Sequence, residues 1–159
     1  EFTYIYACSY IYNAEGIASW PAVAVDYSTK VQFLSKISKG IREVSDSRRV
    51  NAFMPDENRA IPMSRIIYMG DGETDIPSMR IVKSEGGHSI AIYKPTSENS
   101  RAQARNLVRR GRVNFACAGD YTEGNELHRA VLATIAKIKT DSDFRTMEST
   151  NQRNMRATQ

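Results

Sequence analysis

The stretch Arg65-Ile66-Ile67-Tyr68-Met69-Gly70-Asp71-Gly72-Glu73-Thr74-Asp75-Ile76-Pro77-Ser78-Met79 limits the chain to few folds. Its apolar run, Ile66 to Met69, reads as a short buried strand. The run breaks at a Gly-Asp-Gly turn, and a helix starts near Thr74 or Asp75. Either residue can cap that helix, and Pro77 falls in its first turn, where a missing N–H costs nothing. Asp71 and Asp75 therefore stand at the carboxyl end of a strand, where open α/β sheets bind their ligands.

The flanking sequence supplies further strands and helices. Glu1 to Tyr12 is rich in β-branched and aromatic residues and reads as strand. Asn13 to Gly16 is a turn, and Ile17 to Val25 is a returning segment broken at Pro21. Four of the eight tyrosines precede residue 13, which suits one half-buried face of a hairpin. A helix follows Ser28 or Thr29, either of which can cap it, with Val31, Leu34, Ile37, Ser38 and Ile41 on one face. Lys30 then lies in the first turn, where a cation opposes the helix dipole. A local misfit of that kind points to a functional lysine. Lys36 and Lys39 read as solvated.

Residues 46–64 are polar with two prolines and read as a loop with one helical turn. Beyond the aspartate turn come a helix over Asp75–Ser84, a Gly86-Gly87 stop and a strand over His88–Tyr93. His88, at that strand's start, reads as a structural or solvated histidine rather than a catalytic one. A basic helix, Glu98–Arg110, carries Arg101, Arg105 and Arg109, and with Arg112 forms the densest positive patch in the chain. It reads as a solvated face, because a nucleic-acid groove would interleave aromatics. Val113–Cys117 is a short strand. Glu123–Lys139 is a last helix with Leu127, Val131, Ile135 and Ile138 on one side. From Thr140 the composition turns to Ser, Thr, Asn, Gln and Arg and predicts a disordered tail. The domain division is thus 1–139 for the core and 140–159 for the tail.

Of the 159 residues, 41% are hydrophobic and 25% charged, ordinary values for a soluble domain. The net charge of +4 suits either nucleic acid or a site for phosphorylated substrates. Cys8 and Cys117 have no metal-ligand spacing and read as free thiols of a reducing cytoplasm. No apolar run approaches the roughly 18 residues of a membrane span. No basic-then-apolar leader opens the chain.

The run Gly70-Asp71-Gly72-Glu73-Thr74-Asp75, with its strand and helix, resembles the fourth motif of the haloacid dehalogenase (HAD) superfamily, in the phosphoserine-phosphatase-like branch. Lys30, at a helix start upstream, matches that family's third-motif lysine. The resemblance implies an α/β, Rossmann-like three-layer core and a Mg²⁺-dependent phosphatase, a hydrolase of phosphoric monoesters. It implies Asp71 as a metal ligand, and Asp75 as orienting the lysine or completing the metal's outer shell. Lys30 would pair with the nucleophilic aspartate and the substrate phosphate, while Gly70 and Gly72 let the backbone turn tightly beside the metal.

The family's nucleophile motif, Asp-x-Asp-x-Thr, is absent from these residues. Asp141-Ser142-Asp143 imitates it but has no strand before it and no Thr in the fifth position. The chain therefore reads as the carboxyl-side part of such an enzyme, its first core strands missing and inactive by itself. The strand at Ile66–Met69 would lose a neighbour, and the exposed edge favours self-association. Two other readings stand beside this one. One is a non-catalytic remnant or protein-interaction module that keeps the fold, and the other is nucleic-acid binding through Arg101–Arg112. A phosphorylated small molecule is the expected partner of an active form.

Overall fold

The computed structural model describes residues 2–43 and 45–157. Glu1, which opens the predicted first strand, and residues 158–159, which end the predicted tail, lie outside the described residues. The chain is mixed α/β, and its centre is a parallel sheet of three strands in the order β3-β4-β5. These are Ile67–Gly70 (β3), His88–Tyr93 (β4) and Phe115–Ala118 (β5). Ile67 pairs with His88 and Ile90 with Phe115, so β4 is central and buried along its whole length.

Helices cover both faces of this sheet. Side chains alternate along β4, sending Ala91 and Tyr93 to one face and Ile90 and Ile92 to the other. On the first face Met79 from Ile76–Ser84 (α3) and Ala104 from Glu98–Arg109 (α4) complete a core cluster. On the second, Leu127 from the long helix Glu126–Ala157 (α5) joins Ile90, Ile92 and Cys117. A third cluster packs Leu34 of Lys30–Lys39 (α1) against Ile66 and Val82, which fastens α1 beside α3. The expected α/β class is thus present, as a small parallel sheet with helices on its faces.

Both edges of the sheet are open. Among the described residues no strand pairs with the outer side of β3, and none with the outer side of β5.

Four expectations from the sequence need correction. The hairpin exists, as Ser9–Tyr12 (β1) paired antiparallel with Ala18–Val23 (β2), but it has no half-buried face. Tyr10, Tyr12 and Trp20 are exposed, because the ribbon stands off the main sheet. Its approach segment is tied to α1 by the Tyr6 hydroxyl, which donates to the Ile41 carbonyl at 2.7 Å, and by the Tyr6 ring against Phe33.

Lys36 and Lys39 are buried rather than solvated. Residues 46–64 fold a short helix, Ser47–Asn51 (α2), against α1. The Lys39 ammonium closes that helix's carboxyl end by donating to the carbonyls of Val50 at 2.5 Å and Ala52 at 2.6 Å. Lys36 lies 5.0 Å from the centre of the Phe33 ring. A period-based reading assigns long polar side chains to solvent and does not foresee buried carbonyls that need a donor.

In α5 the buried face runs through Leu127 and Thr134, while Ile135 is exposed. The Thr134 hydroxyl donates to the Ala130 carbonyl, so a polar side chain enters the interface already satisfied.

Residues 140–157 are helical, not disordered. Hydroxyls at Thr140, Thr146, Ser149 and Thr150 each bond the carbonyl four residues back. Lys137–Asp141 and Lys139–Asp143 pair at i,i+4 spacing. Two long-range bonds, Arg65 to Ser142 and Arg145 to Ser64, hold the middle of α5 to the turn before β3.

Candidate functional site

The β3 strand ends at Gly70, and the chain turns through Asp71 and Gly72 into a single 3₁₀ turn, Glu73–Asp75, which runs directly into α3. The tightness of that turn depends on Gly70. A Cβ there would lie 2.6 Å from the Asp75 Cβ and Cγ and 2.7 Å from its Oδ2. Only glycine lets the Asp75 carboxylate fold back against the strand end.

Lys30 arrives from a second direction. Asp26 sets up the start of α1, its Oδ1 accepting from the Ser28 and Thr29 amides at 2.9 and 3.0 Å. Thr29 is the residue before the helix, but its hydroxyl bonds back to Asp26 and Ala24 and does not cap it. Lys30 is then the first residue of the helix. The packing of Leu34 against Ile66 and Val82 brings that helix end to the strand end.

The two elements meet in an ion pair, with Lys30 Nζ 2.6 Å from Asp75 Oδ1. The Tyr68 hydroxyl donates to the same oxygen at 2.7 Å, and the Gly72 amide donates to Oδ2 at 3.3 Å. Burial pushes the Asp75 carboxyl up, but the bonds from Lys30 and then Tyr68 outweigh it and hold the group below the usual carboxylate range. Burial, and then the hydrogen bond to Asp75, raises Tyr68 above its ordinary value, so it remains a protonated donor. Asp75 is thus a fixed anion that aims a cation.

Asp71 lies on the other side of the turn. It is exposed, and with Gly70 and Gly72 it lines a cavity of about 210 Å³ between the strand ends and α4. Neither Lys30 nor Asp75 lines that cavity. Of the residues singled out in the sequence, the fold brings Lys30 and Asp75 into contact and sets both glycines at the turn, and it gives Asp71 a separate aspect.

This division bears on Mg²⁺. Among the described residues no three of His, Cys, Asp and Glu converge on a point that could hold a metal ion. Asp75 has both oxygens engaged, which suits it to orienting the lysine rather than to a metal's inner shell. The Asp71 carboxylate is reached by no ion pair or hydrogen bond among the described residues. Magnesium keeps several waters and takes one or two carboxylates together with substrate phosphate. Asp71 fits one such ligand, and Glu73 lines the same cavity.

Tyr68 was not foreseen. Its signal was nonetheless in the sequence, since a tyrosine inside a buried apolar run must find a partner for its hydroxyl. Of the two readings of His88, structural or solvated, its place among buried residues favours the first. It is buried at the start of β4, and burial, then the Lys137 ammonium, lowers its imidazole below the ordinary value.

No protein-family model matches this chain, and no solved structure matches it. A protein of Borreliella burgdorferi described as uncharacterized is 27% identical over 114 residues, covering 70% of this chain. The chain spans about 37% of that relative's length. Among the described residues no helix is long and apolar enough to cross a membrane.

Proposed function

We propose that the chain is the carboxyl-side part of a HAD-like, magnesium-dependent phosphatase core. The observation that carries this reading is the 2.6 Å Lys30–Asp75 pair at the carboxyl end of β3, next to a strand edge with no partner. A phosphoryl-transfer site needs fixed positive charge where the transferring oxygens develop negative charge. Lys30 is such a charge, its orientation held by Asp75 and Tyr68. It stands where a strand added to β3 would deliver a nucleophilic carboxylate. Asp71 would hold Mg²⁺ by one oxygen, and a bound Mg²⁺ would neutralise further charge on the phosphate. Gly70 and Gly72 make the turn that carries Asp71 and Asp75 tight, although Asp71 faces a cavity that Lys30 and Asp75 do not line. Substrate would be a phosphorylated small molecule, in a cytoplasmic setting consistent with two free thiols.

The test is hydrolysis of an aryl phosphate with Mg²⁺. The chain by itself should give no turnover, because it carries no aspartate nucleophile motif. A form extended before Glu1 by an Asp-x-Asp-x-Thr strand should turn over, and its Asp71→Asn variant should not. No turnover in the extended form, or equal turnover in both, overturns the reading.

A second reading is supported by the unpaired β3 edge and the lone Asp71 carboxylate. It is a non-catalytic module that keeps the fold and associates with another copy through that edge. Light scattering after size exclusion would give a dimer mass in that case, and a monomer would count against it.

A further inference from the structure

The basic stripe of α4 has no part in the lysine–aspartate site, and its arginines divide. Arg101 stacks over the Tyr93 ring at 5.5 Å and pairs with Glu98. Arg105 and Arg109 instead line a groove of about 630 Å³ between α4 and α5, joined from the α5 side by Arg129. None of these three forms a salt bridge among the described residues. The one carboxylate in the groove is Glu126, so its charge is positive on balance.

The floor of the groove is β5. Asn114, Phe115, Ala116 and Cys117 all line it, although neighbours on a strand point to opposite faces. A cavity lined by consecutive strand residues runs along the edge of the strand, not over one face. That edge is unpaired among the described residues, where β5 bonds to β4. Phe115 is 41% exposed and Val108 39%, which leaves an apolar strip beside the strand edge at Phe115, while Cys117 further along is buried.

We infer that this groove binds an extended acidic peptide, which adds as a fourth strand along β5. Backbone pairing to β5 supplies affinity, alternate apolar side chains cover Phe115 and Val108, and alternate carboxylates meet Arg105, Arg109 and Arg129. A second copy of this chain fits poorly, because two such edges brought together would oppose arginine with arginine in a protein of net charge +4. A nucleic acid fits less well, because Phe115 is the one aromatic lining the groove and base stacking would leave the strand edge unused. The inference is independent of the phosphatase reading, since it uses the opposite edge of the sheet.

Fluorescence anisotropy with this chain tests it. The probes are a short peptide alternating glutamate and valine, its lysine–valine counterpart, the glutamate peptide N-methylated on alternate amides, and a single-stranded oligonucleotide. The glutamate peptide should bind at least about tenfold more tightly than the lysine peptide, with affinity falling as salt rises. N-methylation should abolish binding, and the outward-facing Phe115 amide should gain hydrogen-exchange protection with the unmodified peptide. An Arg105→Glu/Arg129→Glu double variant, checked for fold by circular dichroism, should lose the preference for glutamate. If that variant unfolds, the N-methylated probe on the unaltered chain still decides. Equal binding of the N-methylated peptide, binding of the oligonucleotide alone, or no binding by any probe overturns the inference.

Discussion

Lys30, the first residue of α1, and Asp75, the last residue of the turn after β3, lie 45 positions apart and meet at 2.6 Å. The contact joins two elements that share no strand pairing, so it fixes where α1 stands against the sheet. Replacing one partner strands the other. Loss of a partner from a fully buried pair costs roughly 3–5 kcal/mol, and partial solvent access to Lys30 reduces that to about 1–2 kcal/mol. Urea unfolding of Asp75→Asn and Lys30→Met should each show such a loss. The double variant should lose less than the sum, and strict additivity would mean that the pair is not coupled in solution.

Tyr68→Phe removes one of the two donors on Asp75 Oδ1 without changing the packed ring. The expected loss is about 1 kcal/mol of stability, the net worth of one hydrogen bond. The Asp75 carboxyl should titrate at a higher pH than in the parent protein, because a bond that favours the anion is gone. Carboxyl-carbon NMR reads this directly, and an unmoved midpoint would remove Tyr68 from the network.

Gly70→Ala puts a methyl group within 2.7 Å of the Asp75 carboxylate, too close to coexist with it. The turn must open or Asp75 must swing away, at a cost of about 1–3 kcal/mol for a forced overpacking. In the extended, active form proposed above, the same change should lower turnover more than it lowers stability, since the lysine loses its anchor. An alanine variant with parent-like stability and activity would show that the turn is not constrained.

Acid should weaken the fold in two stages. His88 is held below its ordinary value, so the fold favours its neutral form. Its contribution is complete above the unfolded value near 6.5 and declines as pH falls through the lower, folded value. Asp75 is also depressed, and for a carboxyl that contribution is present above the unfolded value of about 3.9 and lost below it. Melting temperature against pH should therefore fall first below about pH 6.5 and again below about pH 4. His88→Gln should weaken the first stage and Asp75→Asn the second, to which the depressed carboxyls of Asp26, Asp120 and Asp141 also contribute.

Much of this was legible before any coordinates. Alternation and apolar runs located the five described strands, although β1 starts at Ser9 rather than Glu1 and β2 runs through Pro21 unbroken. The Gly-Asp-Gly break located the strand end that carries the candidate site. The 3.6-residue period located α1, α3 and α4, and the start of α5 to within three residues. What periodicity does not register is what a long polar side chain will reach. Lys39 reads as solvated by its period, yet its ammonium fills the need of buried carbonyls in a helix that the sequence shows only as part of a loop. The hairpin failed in the opposite sense. Its aromatic alternation promised a buried face, and nothing packs on it.

Sequence alone determined the local chemistry of the site: a strand ending in glycine, two carboxylates on a tight turn, and a lysine at an unfavourable helix end. Those are nearest-neighbour properties, set by backbone sterics and by the dipole of a single helix. Tertiary structure decided the rest. It gave Lys30 to Asp75 and left Asp71 facing a separate cavity, and it opened both sheet edges, because side chains 45 residues apart meet only when packing of Leu34, Ile66 and Val82 aligns their elements.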